Sequence, residues 1–511
     1  MHRVCSIVPR PVSPQAWLLL HAGAGVACLI MADWLFFAHA VGVSLAVFLL
    51  FVALVCAVVN PVRATARAGK RAWAILAAGL AAVVYDCNFL SACFGVAALS
   101  VCCQMLGGAS LSRWPDRLKQ GRRMLLAGYV WLPRDVVRVM LLWRARRSRK
   151  PVYERLLVWV VPLLFGAVFA VLFAAANPLL ADAWDLIDLY APWRAVSLGR
   201  LCFWLFILGL IWPYLHMPSG RRGQVAGARA PSPVWRRLDL TRLLDPAVLV
   251  RSLLLFNVLF ALQTGMDVAY LWGGLRLPGN LSYAAYAHRG AYPLCFAAVL
   301  AAVFVLASSA AYKAAGPSGR LRALLLLWVG QNLFLLVSSA LRLDLYVAAY
   351  SLTMLRVATF IWMGLVGLGL ILITCKLVYG KTSAWLVGAN ALALGTTLYL
   401  CCFINFPLFI ANYNVAHAFL PGVEGRSKLD QEYLVRLGRQ AIPALDAAIE
   451  ANRRQGRDTR YLDGARRAFA KELGRERKDW RAFGLESFGL NRYLDEKDGA
   501  EAGRPSNDTE H

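Results

Sequence analysis

The feature that most constrains this chain is a series of apolar runs, each about twenty residues long. A helix of that length, rising about 1.5 Å per residue, crosses the roughly 30 Å hydrocarbon core of a bilayer. Apolar residues make up 59% of the 511 residues and charged residues only 16%, which is more apolar side chain than a soluble fold can hide. The sequence therefore predicts an all-α fold, a polytopic transmembrane helical bundle.

About eleven runs qualify as spans, six in an N-terminal membrane half (residues 16–217) and five in a C-terminal membrane half (residues 253–404). The first six are Ala16–Phe36, Ala40–Val59, Ala72–Asn88, Phe89–Leu106, Leu156–Ala176 and Leu201–Met217. The other five are Leu253–Gly273, Tyr292–Tyr312, Ala323–Leu341, Leu355–Cys375 and Ala384–Ile404.

One further segment, Met124–Trp143, is apolar but carries Arg134, Asp135 and Arg138 near its middle. Each charge at the centre of a spanning helix costs about 3 kcal/mol, whereas a helix in the membrane interface keeps its charges wet. We interpret this segment as an interfacial amphipathic helix.

Lys and Arg concentrate in every second connection between the predicted spans, which predicts the orientation of the chain. These basic loops follow the even-numbered spans, so residues 1–15 and the basic loop 218–252 are expected in the cytoplasm. Residues 405–498 then form a small extracytoplasmic α-helical domain, and residues 499–511 a disordered tail.

The net charge of +26 resides mostly in these loops. Basic residues beside spans contact anionic lipid headgroups, which makes the lipid bilayer the predicted partner and argues against nucleic acid.

No recognised catalytic motif for nucleotide binding, serine hydrolysis or zinc hydrolysis occurs in the sequence, and we predict no cofactor and no metal site. The twelve cysteines show no CxxC spacing and are interpreted as packed thiols, although Cys87 and Cys93 could pair. An enzyme is disfavoured without being excluded, because membrane enzymes also assemble sites from isolated carboxylates.

Polar residues enter the C-terminal membrane half at the ends of spans that the topology brings to one side. These residues would line an outward-facing cavity in which Arg binds carboxylate or phosphate and Tyr stacks on sugars. They are Asp267, Tyr270, Tyr283, Tyr286, Arg289, Arg342, Asp344, Tyr350 and Arg356. The alternative is structural: Asp267 pairs with Arg342 or Arg356 to lock helix ends, and the tyrosines form an interfacial belt.

After the last span, apolar residues recur every three or four positions, as in amphipathic helices. Leu429, Tyr433, Leu434 and Leu437 begin this pattern, and Pro443 suits the first turn of a following helix. Leu462, Ala465, Phe469 and Leu473 continue it. Trp480, Phe483, Leu485 and Phe488 are expected to cover the helices as apolar anchors.

Several stretches carry a family resemblance. These are LQTGMDVAYLWGGLRLPGNLSYAAYAHRGAYPL from Leu262, QNLFLLVSSALRLDLYVAAYSLTMLRVATFIWMGLV from Gln331, NFPLFIANYNVAHA from Asn405 and LDQEYLVRLGRQAIPALDAAI from Leu429. They resemble an uncharacterised bacterial multi-pass membrane family, domain of unknown function 4173, which is related to 4153. The resemblance implies a bacterial inner (cytoplasmic) membrane protein. Ala285 and His288 depart from the family's pattern, where an acid and an arginine are usual.

Two classes of function follow. The first is a non-enzymatic envelope component that senses or scaffolds beside a possible envelope protein partner. The second is a transporter or a lipid-linked glycan-handling protein that uses the polar cavity. The sequence favours the first, because no inverted repeat supports a transporter and the short loop near Asp33 leaves little room for a glycan-transfer site.

Overall fold

The computed structural model describes residues 14–60, 64–108, 197–215, 246–269, 319–419 and 429–502, with a few more near 121–137. Every regular element in these ranges is helical. By contacts the chain divides into two units, the first covering residues 1–225 with 479–484 and the second covering 226–478 with 485–511.

Five helices form the described part of the first unit. They are α1 (Pro14–Phe36), α2 (Val43–Val59), α3 (Ala66–Tyr85), α4 (Phe89–Leu106) and α5 (Leu198–Leu215).

Nine more belong to the second unit. They are α6 (Pro246–Asp267), α7 (Gly319–Tyr350), α8 (Met354–Tyr379), α9 (Ser383–Cys401), α10 (Phe406–Ala418), α11 (Gln431–Arg436), α12 (Ile442–Arg454), α13 (Arg460–Glu476) and α14 (Leu485–Ala502).

Six of these helices are long and apolar enough to cross a membrane, namely α3, α4, α5, α7, α8 and α9. Nine of the eleven predicted spans coincide with a described helix, and Leu156–Ala176 and Tyr292–Tyr312 lie outside the described residues. The boundaries differ most at α7, which continues nine residues past the predicted end at Leu341. The chain is thus all-helical over the described ranges and carries membrane-type helices, while the count of eleven stays a prediction.

Polar residues just before the helices fix where several of them begin. The Asn88 side chain accepts from Ser91 N, and Ser91 Oγ accepts in return from Asn88 N, so α3 and α4 are joined by a tight capped turn. Thr353 and Thr382 cap α8 and α9 with a single bond each, since their hydroxyls accept from Arg356 N and Trp385 N. Gly380, with φ of +63°, ends α8 in the left-handed conformation that glycine adopts without strain.

The core of the first unit is a continuous apolar cluster contributed by α1, α2, α3, α4 and α5. Small residues let its helices approach closely, since a Cβ added to Gly79 of α3 would lie 2.3 Å from the Cβ of Ala98 in α4. The buried thiols of Cys28, Cys56 and Cys102 fill space in this cluster.

The few described residues of the predicted interfacial segment contact α5. Tyr129 Oη donates to Phe206 O at 3.3 Å, and Trp212 Nε1 donates to Asp135 Oδ2 at 3.1 Å. Asp135, one of the charges that argues against a span, is therefore bound by an indole on a neighbouring helix. Most of Met124–Trp143 lies outside the described residues, so its orientation stays a prediction.

The first unit also contains a short C-terminal stretch, residues 479–484, which lies on the loop between α1 and α2. Val43 N donates to Phe483 O at 2.7 Å, and the Asp479 carboxylate lies 3.0 Å from His39 Nδ1. Burial opposes ionisation of Asp479, but the Arg481 N–H and the charges of Arg481 and His39 outweigh it and keep its pKa below the ordinary value. Hydrogen bonds and charge together hold this stretch in place.

Gly42 is the position at which this contact is most sensitive to substitution, because a Cβ there would lie 2.5 Å from the backbone carbon of Ala482. We expect Gly42→Val to displace residues 481–483 and break the bond from Val43 N. Losing one hydrogen bond of about 1 kcal/mol should speed exchange of the Val43 amide roughly fivefold. Hydrogen exchange of the full chain measures this. Gly23→Val is the control, since nothing lies within 4 Å of that position, and equal rates in both variants would contradict the contact.

In the second unit, α6, α7 and α8 share an apolar core around Leu253, Trp328 and Leu370. Phe256 and Phe260 of α6 lie against the Trp328 ring, with centroids 5.4 and 6.0 Å away. The loop between α7 and α8 is fixed to the helices that follow, because Asn414 exchanges two hydrogen bonds with the backbone of Leu352, at 2.7 and 2.9 Å. Tyr433 Oη also accepts from Met354 N at 2.8 Å.

The helices after residue 405 follow the predicted pattern. Leu434, Leu445 and Leu462 are buried together, and Pro443 occupies the first turn of α12. The last helix runs to Ala502, so the first residues of the predicted tail are helical.

One prediction for this region is wrong. Trp480, Phe483, Leu485 and Phe488 are 39–56% exposed instead of covering the helices. Leu473 and Leu494, with Ile442, supply the buried contacts instead.

Candidate functional site

Five of the nine predicted cavity residues lie in the described part of the chain: Asp267, Arg342, Asp344, Tyr350 and Arg356. The other four, Tyr270, Tyr283, Tyr286 and Arg289, lie outside it.

The structure brings Asp267 and Arg342 together as an ion pair between α6 and α7. Arg342 Nη2 donates to Asp267 Oδ1, and both side chains are almost completely buried, at 3% and 0% exposure. Gln263 Nε2 donates to the same carboxylate oxygen at 2.9 Å from one turn earlier in α6. The pair lies in the interior of α7, eight residues or about 12 Å before its end at Tyr350.

The second oxygen of this carboxylate, Asp267 Oδ2, makes no hydrogen bond of normal geometry to any residue that the structure describes, although the Ser338 side chain of α7 interacts with the carboxylate. A buried carboxylate oxygen without a donor is costly, and it can accept a proton or a donor group of a ligand. Asp267 Oδ2 is therefore the atom of the candidate site that can still accept a proton or a hydrogen bond from a ligand.

Arg356 does not reach the ion pair. Its guanidinium lies 4.5 Å from the centroid of the Tyr346 ring, and it donates to Tyr350 O at 2.7 Å and to Ser351 O. Arg356, in the first turn of α8, therefore links this helix to the C-terminal end of α7. Cation–π contact and two carbonyl acceptors account for its charge.

Asp344 and Tyr350 do not join the pair either. Asp344 is two positions from Arg342, about 200° around the helix, and it is exposed while Arg342 is buried. Tyr350 is 53% exposed and its ring lies 4.8 Å from that of Tyr346. Over the described residues the predicted set thus separates into a buried pair and an exposed helix end.

Further polar side chains connect α6 and α7 below the pair. Asn257 Nδ2 donates to Leu253 O at 2.7 Å and across to Leu324 O at 3.2 Å, and Gln331 Nε2 donates to Asn257 O at 3.3 Å. Hydrogen bonds between helices of this kind stabilise packing inside a membrane by about 0.6 kcal/mol on average. They place α6 and α7 in a fixed register, which positions Asp267 against Arg342.

Sequence reasoning did not identify a second ion pair, in the first unit. Arg200 Nε donates to Asp33 Oδ1 at 2.8 Å, Arg200 Nη2 donates to Asp33 Oδ2, and Trp204 Nε1 donates to Asp33 Oδ1 at 2.8 Å. The guanidinium also lies 4.7 Å from the Phe37 ring centroid. Asp33 and Arg200 stand at the predicted outer ends of the first and sixth spans, so the topology already contained the signal for this pair.

A third charged cluster, also unforeseen, surrounds Asp446 of α12, whose side chain is 6% exposed. Its carboxylate lies 3.2 Å from Arg466 Nε and 2.9 Å from Lys497 Nζ, and it accepts from Tyr493 Oη at 3.1 Å. One carboxylate therefore joins α12, α13 and α14. The signal in the sequence was an acid beside Ile442, Leu445 and Ile449 on an apolar helix stripe.

Burial, followed by the charge of Asp446, raises the pKa of Tyr493 to about 12 from an ordinary 10. Because the folded state holds this proton more tightly, stability is complete below about pH 10 and should fall as the pH rises from 10 to 12. We expect the stability of the Tyr493→Phe variant to lack this decrease between pH 10 and 12. Unfolding midpoints of the two proteins at pH 9 to 12 measure it, and parallel curves would contradict the assignment.

No group of three His, Cys, Asp or Glu side chains that could hold a metal occurs among the residues the structure describes. Cys87 is half-buried and Cys93 exposed, and the two are not paired with each other.

The chain matches a known protein family over most of its length. The model of a family described as Domain of unknown function (DUF4153) matches residues 22–448, which is most of the chain. No curated protein matches the sequence. No solved structure matches it either.

Proposed function

The chain belongs to the family described as Domain of unknown function (DUF4153), and we propose that it is a non-enzymatic component of a bacterial inner membrane that senses or scaffolds at its outer face. In this proposal about eleven helices span the membrane, the N-terminus is cytoplasmic, and residues 405–498 are extracytoplasmic. The resemblance of this chain to domain of unknown function 4173 is part of the same proposal.

The observation that carries this proposal is the state of the buried acids. Only Asp267 and Asp446 are buried acids among the described residues, and each is ion-paired. A catalytic carboxylate must reach its substrate, whereas these two join helices to one another. Such pairs support a protein whose task is to hold an arrangement of helices.

The loop between α7 and α8 adds support for the outward placement of the C-terminal helices. Asn414 binds the backbone of Leu352, and Tyr433 binds the amide of Met354. In the predicted topology this loop is extracytoplasmic, so helices fastened to it would lie on that side.

Reporter fusions at two positions, before and after the last predicted span, test this placement. We expect a periplasm-active reporter fused after Ser427 to be active and the same reporter fused after Lys381 to be inactive. The opposite pattern would contradict the orientation, and activity at both positions would contradict the last predicted span.

A second candidate function rests on Asp267 Oδ2, the buried oxygen without a hydrogen bond of normal geometry among the described residues. A transporter or a lipid-linked glycan-handling protein would use it, with Arg342 beside it, to bind a proton or a polar substrate group. Lipid and glycan profiles of a deletion strain separate the two classes. An accumulated lipid-linked intermediate would favour the second class, and a change confined to the abundance of partner proteins would favour the first.

A further inference from the structure

Large exposed apolar side chains are concentrated in one short stretch of sequence near the C-terminus. Between residues 411 and 499, five such side chains are exposed in the described ranges, and four of them fall within residues 480–488. They are Trp480, Phe483, Leu485 and Phe488, and the fifth is Tyr461. Exposed apolar side chains so close together in sequence indicate a stretch that a membrane or a partner covers, and Trp480 and Phe483 are those that belong to the first unit.

Within the first unit, Trp480 adjoins a stripe of exposed apolar residues on α1. Val26, Ile30 and Trp34 follow at intervals of four residues and are 55%, 66% and 51% exposed. Residues four apart lie on one face of a helix, and an apolar helix in a bundle turns such a face to lipid. The Trp34 ring, which ends the stripe, lies 5.8 Å from the Trp480 ring.

The composition around these rings is that of a membrane interface. The Arg481 guanidinium lies 4.9 Å from the centroid of Trp34 and 5.9 Å from that of Trp480. Tryptophan is enriched at the membrane–water interface, where its ring lies at the level of the lipid headgroups. Phe483, 39% exposed, lies on the same stretch and is held by Val43 N.

We propose that Trp480, which lies next to Trp34, and Phe483 insert into the headgroup boundary of the outer leaflet. The stretch 479–484 would then be a lipid-binding anchor outside the spans. The occupant is lipid, because Trp480 continues the face that α1 turns to the bilayer. The inference rests on the proposed function in one respect, the transmembrane placement of α1.

Site-specific photocrosslinking of the full-length protein tests the anchor. A benzophenone amino acid replaces Trp480 in one variant, Ile30 in a second and Tyr461 in a third, each reconstituted in vesicles of phosphatidylethanolamine and phosphatidylglycerol. Tyr461 is the matched control, since it is a similarly exposed aromatic residue, at 54%, on α13. Mass spectrometry identifies the adducts, and size-exclusion chromatography selects folded protein.

We expect lipid adducts at positions 480 and 30 and far fewer at position 461. Lipid adducts at 30 with none at 480 would overturn the anchor. If the crosslinking is repeated in native membranes, protein adducts alone at 480 would also overturn it and would indicate a protein partner. Equal lipid yields at 480 and 461 would also overturn it. Absence of lipid adducts at both 30 and 480 would instead contradict the placement of α1, and with it the proposed function.

Discussion

Replacing Arg342 with methionine is expected to lower the free energy of unfolding of the full-length protein by about 3–5 kcal/mol, the range for a buried ion pair that loses one partner. Methionine is similar in length and apolar, so the loss comes from the charge and its hydrogen bond. The buried Asp267 carboxylate would be left with the neutral donors Gln263 and Ser338 and without a cation. Reversible unfolding in detergent micelles measures the change.

Two further variants separate the ion pair from a general packing effect. Arg356→Met removes an arginine that binds the Tyr346 ring and two backbone carbonyls at a helix end, and it should cost less. The double variant Asp267→Leu, Arg342→Met should recover most of the loss, because a well-packed apolar pair often equals a buried ion pair in stability. A double variant no more stable than Arg342→Met would show that the unpaired carboxylate is not the cause.

The choice of Arg342 over Arg356 as partner of Asp267 shows what the sequence could and could not predict. Both arginines follow the ninth predicted span, so proximity alone left the two alternatives open. The periodicity of α7 distinguishes them, because Trp328, Leu335 and Arg342 stand seven apart and share the face that contacts α6. The spacing of the residues does not predict the chain reversal at Ser351. This reversal directs Arg356 to the carbonyl groups of its own loop.

Hydrophobicity predicted where nine of the described helices lie, but it did not predict where they end. The predicted span stopped at Leu341 because Arg342 and Asp344 follow, whereas α7 runs to Tyr350. A carboxylate on another helix allows the charged Arg342 side chain to stay buried within α7. A hydropathy average over one segment cannot include this tertiary contact. Trp480 was likewise predicted to cover the C-terminal helices as an apolar anchor, whereas it lies beside Trp34 of α1 and is 48% exposed.

Replacing Asp446 with alanine is expected to cost about 3 kcal/mol, near the lower end of the effect for a buried pair that loses one partner. The value is at the lower end because Lys497, 32% exposed, can turn to water, and because Arg466, 20% exposed, retains the exposed Asp498 carboxylate at 3.6 Å. The Tyr493 hydroxyl also loses its acceptor. Because all these partners belong to α13 and α14, the loss should be local to the C-terminal helices.

Hydrogen exchange with mass spectrometry on the full chain resolves this locality. Peptides from residues 442–502 should exchange faster in Asp446→Ala, and peptides from α8 and α9 should not change. Asp458→Ala is the matched control, since that carboxylate is 61% exposed and pairs with an Arg460 that is 90% exposed. A surface pair of this kind is worth about 0–1 kcal/mol. Equal effects of the two variants would show that Asp446 does not join the three helices, because only a buried carboxylate can leave its partners uncompensated.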